Sequence, residues 1–396
     1  MTRRAVAAAV FAACVLPGGA AAQAPAGWDA FTKVFQAYAD GDKVVGASVV
    51  AVRDGRETGR YDTGFADRVA GVRVDSQTIF HWGSITKSLT AIAIMQLRDR
   101  GRLSLDDKIV RWVPELRSMH DPYGMMDSIT LRMLLSHTSG FQNPTWPYGP
   151  DEPWAPFEPT TWNQLVAMMP YQQLLFRPGS RYGYSNPGFI YLARVVEAIS
   201  GDPWDAYVQK NIFAPLGMDR SYFRGTPYWL TAHRSHNYYV RRDSATRTDR
   251  VDDNGADFDP GITSPNGAWN APVSDLVRYV AFLTNATIPG VPRERYDVVL
   301  SRSSLDEMWK PVAPMSQSYE AAPGQWTGLG FFVLDRNGQR IIGHTGSQAG
   351  FRSFYYFDLA TKAAVIAVFN TTNMATPARA LQARANEAAL ALLGGR

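Results

Sequence analysis

One short segment of the sequence pairs two residue types that can carry out acyl transfer. Ser84 and Lys87 stand three positions apart in Ser84-Ile85-Thr86-Lys87, and an apolar helical pattern follows them. Because residues i and i+3 share a helix face, the Lys87 amine can approach the Ser84 hydroxyl. A serine becomes a nucleophile once a base takes its proton, and a lysine serves where burial lowers its pKa. An N-capping serine followed by a solvated lysine would give the same pattern, so this segment alone does not decide the chemistry.

A second segment, Tyr184-Ser185-Asn186, supplies a phenol and an amide. A tyrosine close to lysines or to a helix end loses its proton more readily and can act as a second base. Asn186 can donate a hydrogen bond to a substrate carbonyl and accept one from a lysine. The segment is compatible with general-base chemistry but is too short to establish it.

A third segment, His344-Thr345-Gly346-Ser347, follows a strand predicted over 340–343. Small residues at a strand edge let an extended substrate lie alongside it. The backbone N–H of Ser347, together with that of Ser84, could form an oxyanion hole for a tetrahedral intermediate. An ordinary glycine-rich turn would also fit this segment taken alone.

The order of the three segments, S-x-x-K, then Y-x-N, then H-T-G, resembles the serine β-lactamase and penicillin-binding-protein superfamily. The sequence is most similar to the branch that contains class C β-lactamases, D-alanyl-D-alanine carboxypeptidases, D-aminopeptidases and related esterases. The similarity covers nearly all of the chain beyond the first 22 residues, and it extends to 103–107, 134–140, 176–188 and 343–354.

This resemblance implies a catalytic role for each matching residue. Ser84 would be the acylated nucleophile, and Lys87 and Tyr184 would share general-base and general-acid work. The backbone N–H groups of Ser84 and Ser347 would hold the oxyanion. The substrate would be bound by Asn186, His344, Thr345 and Gly346.

Two departures from the family pattern narrow the expected activity. The middle motif begins with tyrosine, and no E-x-x-L-N segment is present, which argues against a class A mechanism. His344 stands where typical members carry lysine, and a histidine is mostly neutral near pH 7. We therefore expect weaker recognition of substrate carboxylates and a broader acyl hydrolase, acting on esters, D-amino-acid amides or peptides, or β-lactams.

Two alternative functions stay open at this point. The first is a dedicated β-lactamase or D-Ala-D-Ala carboxypeptidase. The second is a penicillin-binding sensor module that is acylated and turns over slowly. Neither needs a metal or an organic cofactor, and we expect none.

Other polar residues are weaker candidates. His233 and His236 have a spacing seen in metal sites, but no accompanying carboxylate motif supports one. No G-x-S-x-G segment surrounds Ser84 or Ser347, so we expect His137 to pack structurally rather than to act as a triad base. Asn370 and Asn373 could line the pocket or simply end a strand.

Strand patterns lie at both ends of the chain, and helical patterns lie between them. Strands are predicted over 44–52, up to about 66, and over 329–334, 340–343, 351–357 and 363–369, with Asp54-Gly55 and Asn337-Gly338 as turns. Helices are predicted over 84–100, 129–136, 162–169, 187–200, 204–212 and 376–392.

The predicted fold is therefore α+β, an α/β sandwich. One antiparallel β-sheet, built from both chain termini and flanked by helices, would carry an inserted all-α domain. The predicted parts are a signal peptide at 1–22, the α/β domain at 23–83 and 265–396, and the helical domain at 84–264.

Composition excludes several classes of partner. The chain has 396 residues, 45% apolar and 19% charged, which excludes a disordered protein. The formal charge is +4, and the basic residues near Arg241, Arg242 and Arg250 alternate with aspartates. We interpret 241–253 as a solvated loop and expect no nucleic-acid partner. The expected partner is a small-molecule or short-peptide substrate, and the oligomeric state is left open.

The first 22 residues have the pattern of an export signal. Arg3 and Arg4 precede an apolar run, and Ala20-Ala21-Ala22 offers a cleavage site. We expect a periplasmic or secreted protein, with lipidation at Cys14 as the less favoured alternative, and no membrane-spanning segment in the mature chain.

Prolines at every third position over 144–159 predict either a stiff surface loop or an aromatic wall beside a pocket.

Overall fold

The computed structural model describes residues 23–144, 159–315, 324–336, 338–375 and 379–394. The predicted export signal at 1–22 and most of the proline-rich segment, residues 145–158, lie outside these ranges. In the described part of the chain, no helix combines the length and the apolar character needed to cross a bilayer.

A nine-stranded antiparallel sheet joins the two ends of the chain, as predicted. Its order is β3-β2-β1-β13-β12-β11-β10-β9-β8. The strands of the described chain are β1 (Gly46–Arg53), β2 (Arg56–Asp67), β3 (Val72–Arg73), β4 (Ile79–His81), β5 (Tyr238–Arg242), β6 (Asp249–Asp253), β7 (Asn270–Pro272), β8 (Ala313–Pro314), β9 (Gln325–Thr327), β10 (Phe332–Arg336), β11 (Gln339–Gln348), β12 (Phe351–Asp358), β13 (Ala363–Phe369) and β14 (Thr371–Asn373).

The helices pack on both faces of this sheet. They are α1 (Trp28–Gly41), α2 (Thr86–Asp99), α3 (Leu131–Leu135), α4 (Trp162–Met168), α5 (Pro187–Ser200), α6 (Trp204–Val208), α7 (Ala214–Leu216), α8 (Ser264–Gly267), α9 (Val273–Leu283), α10 (Glu294–Val299), α11 (Arg302–Met308) and α12 (Arg379–Leu393). Each helix predicted from the sequence is present, with shorter bounds over 129–136 and with a π-helical turn continuing α6.

Successive side chains of the central strands point to opposite faces of the sheet, and each face belongs to a different hydrophobic core. Val50 of β1 pairs with Ile366 of β13, and both side chains join the larger core beneath α2, α5 and α9. Their neighbours Val49 and Ala367 also pair, and they face the smaller core beneath α1 and α12. Because side chains alternate across a strand, one sheet of β-branched and small residues covers both layers.

A small two-stranded sheet joins the two ends of the predicted helical domain, 84–264. Strand β4 pairs antiparallel with β7, so the chain leaves the sheet region and returns to it at neighbouring points. The predicted boundaries at 84 and 264 stay a prediction, although this pairing lies just outside both of them.

The interpretation of 241–253 as a loop was wrong. Strands β5 and β6 form a hairpin there, and β14 adds to it in parallel. The arginines are exposed, and Arg241 and Arg242 lie 3.4 and 3.2 Å from Asp252 and Asp249. Tyr238 and Val240 of β5 are buried and alternate, but this period-two pattern is confined to one short strand, because β6 consists mainly of charged residues.

Candidate active site

Ser84 lies in a 3₁₀ turn, Gly83–Ile85, that leads directly into α2. The hydroxyl of Thr86 donates to the carbonyl oxygen of Gly83 at 2.7 Å and accepts from the backbone N–H of Trp269 at 3.0 Å. Gly83 has a φ of 55°, and a Cβ atom there would lie 2.8 Å from the backbone nitrogen of Ser347. The turn therefore needs glycine both for its conformation and for the close approach of β11.

The Lys87 amine meets three oxygen atoms. Its Nζ lies 3.1 Å from Oγ of Ser84, 2.8 Å from Oδ1 of Asn186 and 2.8 Å from the carbonyl oxygen of Asn266. The side chain is fully buried. The i, i+3 approach that the sequence predicts is thus present in the structure.

Burial lowers the pKa of Lys87 well below its usual value. A neutral amine keeps two hydrogens and one lone pair. Asn186 Oδ1 and the Asn266 carbonyl can only accept, so they take the two hydrogens, and the lone pair is left facing the Ser84 hydroxyl. This arrangement lets Lys87 receive the proton of Ser84.

Tyr184 is half-buried beside the same amine. Lys87 Nζ lies 4.9 Å from the centre of the Tyr184 ring. The imidazole of His137 stacks on that ring, with 4.3 Å between centroids and 27° between planes. Both contacts restrict where the phenol can lie.

His137 is buried and packs structurally, as predicted. Its Nδ1 accepts from the backbone N–H of Ser185 at 3.1 Å. Burial, reinforced by the charge of Lys87, lowers the pKa of His137 well below its usual value, so the ring is neutral. Its φ of 55° is unusual for a residue with a side chain. The stacking on Tyr184 was not foreseen from the sequence.

The side-chain amide of Asn186 has a fixed orientation. Its Oδ1 accepts from Lys87 and, at 3.2 Å, from Nδ2 of Asn266, while its own Nδ2 donates to Oδ1 of Asn143 at 3.1 Å. Asn143 and Asn266 were missed by sequence reasoning. Neither titrates, and Asn266 meets Lys87 through its backbone carbonyl, so only the turn-like Ser264-Pro265-Asn266-Gly267 could have drawn attention to it.

Strand β11 carries the third motif along Gly83–Ile85, which we call the nucleophile turn after the predicted role of Ser84. The predicted end of this strand at 343 was wrong, because β11 continues through Gln348 while its partner β10 stops opposite Gly343. A Cβ atom on Gly346 would lie 2.0 Å from the carbonyl oxygen of Trp82. Ser353 donates to that same oxygen at 2.9 Å. Thr345 is half-buried and Ser347 is exposed, at an edge of β11 that β10 leaves uncovered.

His344 is only 1% exposed, and its ring stacks on Phe332 with 4.2 Å between centroids. Burial, and then the charge of Lys87, lower the pKa of His344 to about 3. The ring is therefore neutral at physiological pH, and it supplies no cation to the site.

The remaining candidates lie away from this cluster. His236 sits between Asp67 and Asp253, with ring nitrogens 3.5 and 3.0 Å from their carboxylates, and His233 is not part of that group. Asn370 is fully buried, accepts from the backbone N–H of Gly46 at 2.7 Å and donates to the backbone of β2. It ties strands together rather than lining a pocket.

Comparison with known sequences identifies a family and several relatives. The family model described as Beta-lactamase matches residues 31–390. Penicillin-binding protein 4* of Bacillus subtilis is 26% identical over 77% of this chain and 63% of its own length. PbpX of the same organism, which is also named among the penicillin-binding proteins, is 31% identical over 76% of this chain and 70% of its own length. The chain thus spans less than two thirds of the first relative.

Solved structures share the fold. The octameric penicillin-binding protein homologue from Pyrococcus abyssi superposes with a TM-score of 0.73 and 26% identity, covering 93% of this chain and 77% of that one. The D-amino acid amidase from Ochrobactrum anthropi gives a TM-score of 0.68 at 21% identity, covering 91% and 98%.

Proposed function

Because the chain belongs to the beta-lactamase family of serine hydrolases, we propose that it works through an acyl-enzyme formed on Ser84. The observation that carries this proposal is the contact of 3.1 Å between Lys87 Nζ and Ser84 Oγ in a fully buried environment. The side-chain oxygen of Asn186 and the carbonyl oxygen of Asn266 can only accept, so each binds one hydrogen of the neutral amine. The lone pair of Lys87 is then available to the Ser84 hydroxyl.

The proposed reaction has two stages. Ser84 Oγ attacks the substrate carbonyl while its proton passes to Lys87, and the backbone N–H groups of Ser84 and Ser347 hold the oxyanion. The bond to the leaving group then breaks, and that group departs with a proton delivered through Lys87 and Tyr184. In the second stage a water molecule attacks the ester, gives its proton to the same pair of side chains, and releases the acid and free Ser84.

The substrates that we propose are small esters, amides or peptides of D-amino acids, and β-lactams at lower rates. The support is the neutral, buried His344, which leaves the third motif without the permanent cation that would pair with a substrate carboxylate. Asn186 would orient the substrate amide or ester, and Thr345 and Gly346 would lie along it. The fold shared with a D-amino acid amidase is compatible with this choice.

We further propose that the protein is exported, on the strength of the leader pattern over 1–22. Its relatives named as penicillin-binding proteins favour one second candidate, a penicillin-binding module that is acylated on Ser84 and hydrolyses the adduct slowly. These candidates differ in the lifetime of the acyl-enzyme rather than in the identity of the nucleophile.

The test compares wild type with Ser84→Ala, using Ser180→Ala at an exposed position as the matched control. The readouts are hydrolysis of p-nitrophenyl esters, a D-amino-acid amide, a D-Ala-D-Ala peptide and a chromogenic cephalosporin, and intact mass after penicillin treatment. We expect only Ser84→Ala to lose hydrolysis and labelling. Full ester hydrolysis by Ser84→Ala would refute the mechanism, and a persistent penicillin adduct without turnover would favour the second candidate.

A further inference from the structure

We infer that His81 and Gln348 form a hydrogen-bonded bridge that fixes the two halves of the oxyanion hole relative to each other. His81 ends β4, three positions before Ser84, and Gln348 ends β11 directly after Ser347. Both would be positioning residues, since neither needs to touch the substrate. The inference rests on the proposed function, because it concerns the two backbone N–H groups assigned to the oxyanion.

One ring nitrogen of His81 is held by β7. Strands β4 and β7 pair with His81 opposite Asn270, and Nδ1 of the ring lies 2.9 Å from Oδ1 of Asn270. Asn270 Nδ2 donates to the carbonyl oxygen of Ala268 at 3.1 Å, which leaves Oδ1 to accept. The Nδ1–H of His81 is therefore the donor, and the second nitrogen is turned towards β11.

The second ring nitrogen meets the side chain of Gln348. Nε2 of His81 lies 3.3 Å from Oε1 of Gln348, whose Nε2 lies 3.3 Å from Oγ1 of Thr263. Gly267 leaves room for this amide, because a Cβ atom there would lie 2.0 Å from Oε1. A long, flexible side chain is thus enclosed on three sides, and its position is set by His81, Thr263 and the backbone of Gly267.

The bridge completes a set of contacts between the nucleophile turn and β11. The other contacts are the Ser353 hydrogen bond to Trp82 and the close approach of Gly346 to the same carbonyl. Because β10 stops opposite Gly343, it does not hold the last residues of β11. Strand β12 holds the other edge of β11 through Gln348, so on the side of the turn the distance between the N–H groups of Ser84 and Ser347 depends on these contacts.

The protonation state of His81 makes the bridge distinguishable from mere packing. Its ring is 1% exposed, and burial, and then the charge of Arg234, lower its pKa to about 4. A neutral ring with hydrogen on Nδ1 offers a lone pair at Nε2. It bonds to Gln348 when the amide turns its N–H to the ring and its oxygen accepts from Thr263 Oγ1, which otherwise donates to the carbonyl oxygen of Pro260 at 2.6 Å. A glutamate at 348 has no hydrogen to give, so it would bridge only to a protonated ring.

The primary test measures the rate at which a fluorophosphonate labels Ser84, followed by intact mass. Gln348→Leu should label about tenfold more slowly than wild type, because the Ser347 N–H is displaced from the oxyanion rather than removed. Gln339→Leu is the matched control. It loses amide contacts to Asp358 and Leu393 at the far end of the same strand, and it should label at the wild-type rate.

Gln348→Glu adds a pH-dependent measurement that would not change if Gln348 only packed against its neighbours. The carboxylate of Gln348→Glu raises the pKa of the His81 ring above its wild-type value of about 4. We therefore expect the labelling rate of this variant, divided by that of Gln348→Leu, to rise by about threefold or more between about pH 8 and about pH 5, as His81 gains the proton that it donates to the carboxylate. A ratio that stays constant over this range would overturn the bridge.

The outcomes separate the two proposals. If wild type is not labelled at Ser84, the proposed function and the bridge both fail. If wild type is labelled and Gln348→Leu reacts as fast as Gln339→Leu, only the bridge fails. Should Gln348→Leu not fold, Thr263→Val removes the hydroxyl that accepts from Gln348, together with its own hydrogen bond to the carbonyl oxygen of Pro260, at nearly constant shape. It is expected to slow labelling by about threefold, and a wild-type rate would overturn the inference.

Discussion

At the scale of single residues, the site depends on one buried amine among neutral groups. The hydroxyl of Ser84, the amide of Asn186 and the ring of Tyr184 surround Lys87, and the nearby imidazoles of His137 and His344 are uncharged. The pKa of Lys87 is therefore lowered by burial and not by a second cation. In the proposed mechanism, the charge state of this single side chain would set the pH at which Ser84 can react.

Replacing Lys87 with methionine should abolish the base while keeping the shape of the side chain. We expect kcat/KM for a neutral ester to fall by about 10²-fold or more. In wild type, activity should rise with pH as Lys87 loses its proton, and burial places this rise below the usual range of a lysine because it lowers the pKa of the amine. Lys310→Met, at an exposed lysine, is the control. A wild-type profile that is flat from mildly acidic to alkaline pH would contradict this assignment.

His344→Lys should restore a cation near the site. A positive charge close to Lys87 disfavours its protonated form, so the acid limb of the pH–rate profile for a neutral ester should move to lower pH. The same change should raise kcat/KM for a penicillin relative to that ester by about tenfold, because the penicillin carries a carboxylate. His344→Gln keeps the residue neutral and should shift neither quantity. An unchanged substrate ratio in His344→Lys would show that residue 344 does not face the acyl site.

At the scale of elements, the site depends on how closely β11 lies against the nucleophile turn. Gly346 has no room for a methyl group, since its Cβ would lie 2.0 Å from the backbone oxygen of Trp82. Gly83 faces the backbone of Ser347 in the same way. The two glycines allow a contact between backbones that any side chain would widen.

Gly346→Ala should therefore push β11 away from Ser84. We expect a loss of about 10²-fold in kcat/KM, because displacing the strand moves an oxyanion donor. Gly225→Ala is the matched control, since a Cβ there meets nothing within 4 Å and its φ is not positive. Circular dichroism and Tm would show whether the fold persists. Equal activity in both variants would mean that the strand can move without cost.

Several elements were predictable from the sequence because a local rule specifies them. The turn at Asp54-Gly55 and the long apolar strands β12 and β13 follow from turn chemistry and from runs of β-branched or aromatic residues. The clustering of the three side chains proposed as catalytic was also predictable, because their motifs have a fixed order. Strands β4 and β7 were not, since three residues each are too few to show a period.

The surroundings of the motifs escaped prediction for a different reason. Asn266 acts through a backbone carbonyl, and Gln348 acts through contacts that form only when β11 meets β4. Such contacts join residues far apart in sequence, and no single segment contains a pattern that encodes them.

At the scale of the whole molecule, the fold buries imidazoles that it keeps uncharged. Burial lowers the pKa of His81 to about 4 and that of His344 to about 3, against 6.5 for an unperturbed side chain. The unfolded chain therefore binds more protons than the folded chain below about pH 6.5. Asp275 acts in the opposite sense, because burial raises its pKa to about 6.

We expect the Tm of wild type to fall as the pH drops from about 6.5 to about 4, because protonation of the unfolded chain draws the equilibrium away from the native state. His344→Gln removes one of these groups and should show a shallower decline, and Asp275→Asn should show a steeper one because it removes the opposing group. Differential scanning calorimetry in a series of buffers measures these slopes. A wild-type Tm that rises on acidification would contradict the assignment of neutral histidines.

The pairing of β1 with β13 has a consequence for biosynthesis. Val50 finds its partner Ile366 only after nearly the whole polypeptide has left the ribosome, so the sheet cannot close around its core while translation is under way. In a nascent chain of this topology, the central sheet stays incomplete until the C-terminal strands are available. For the export proposed above, this late closure of the sheet would keep the chain unfolded while it passes through a secretion channel.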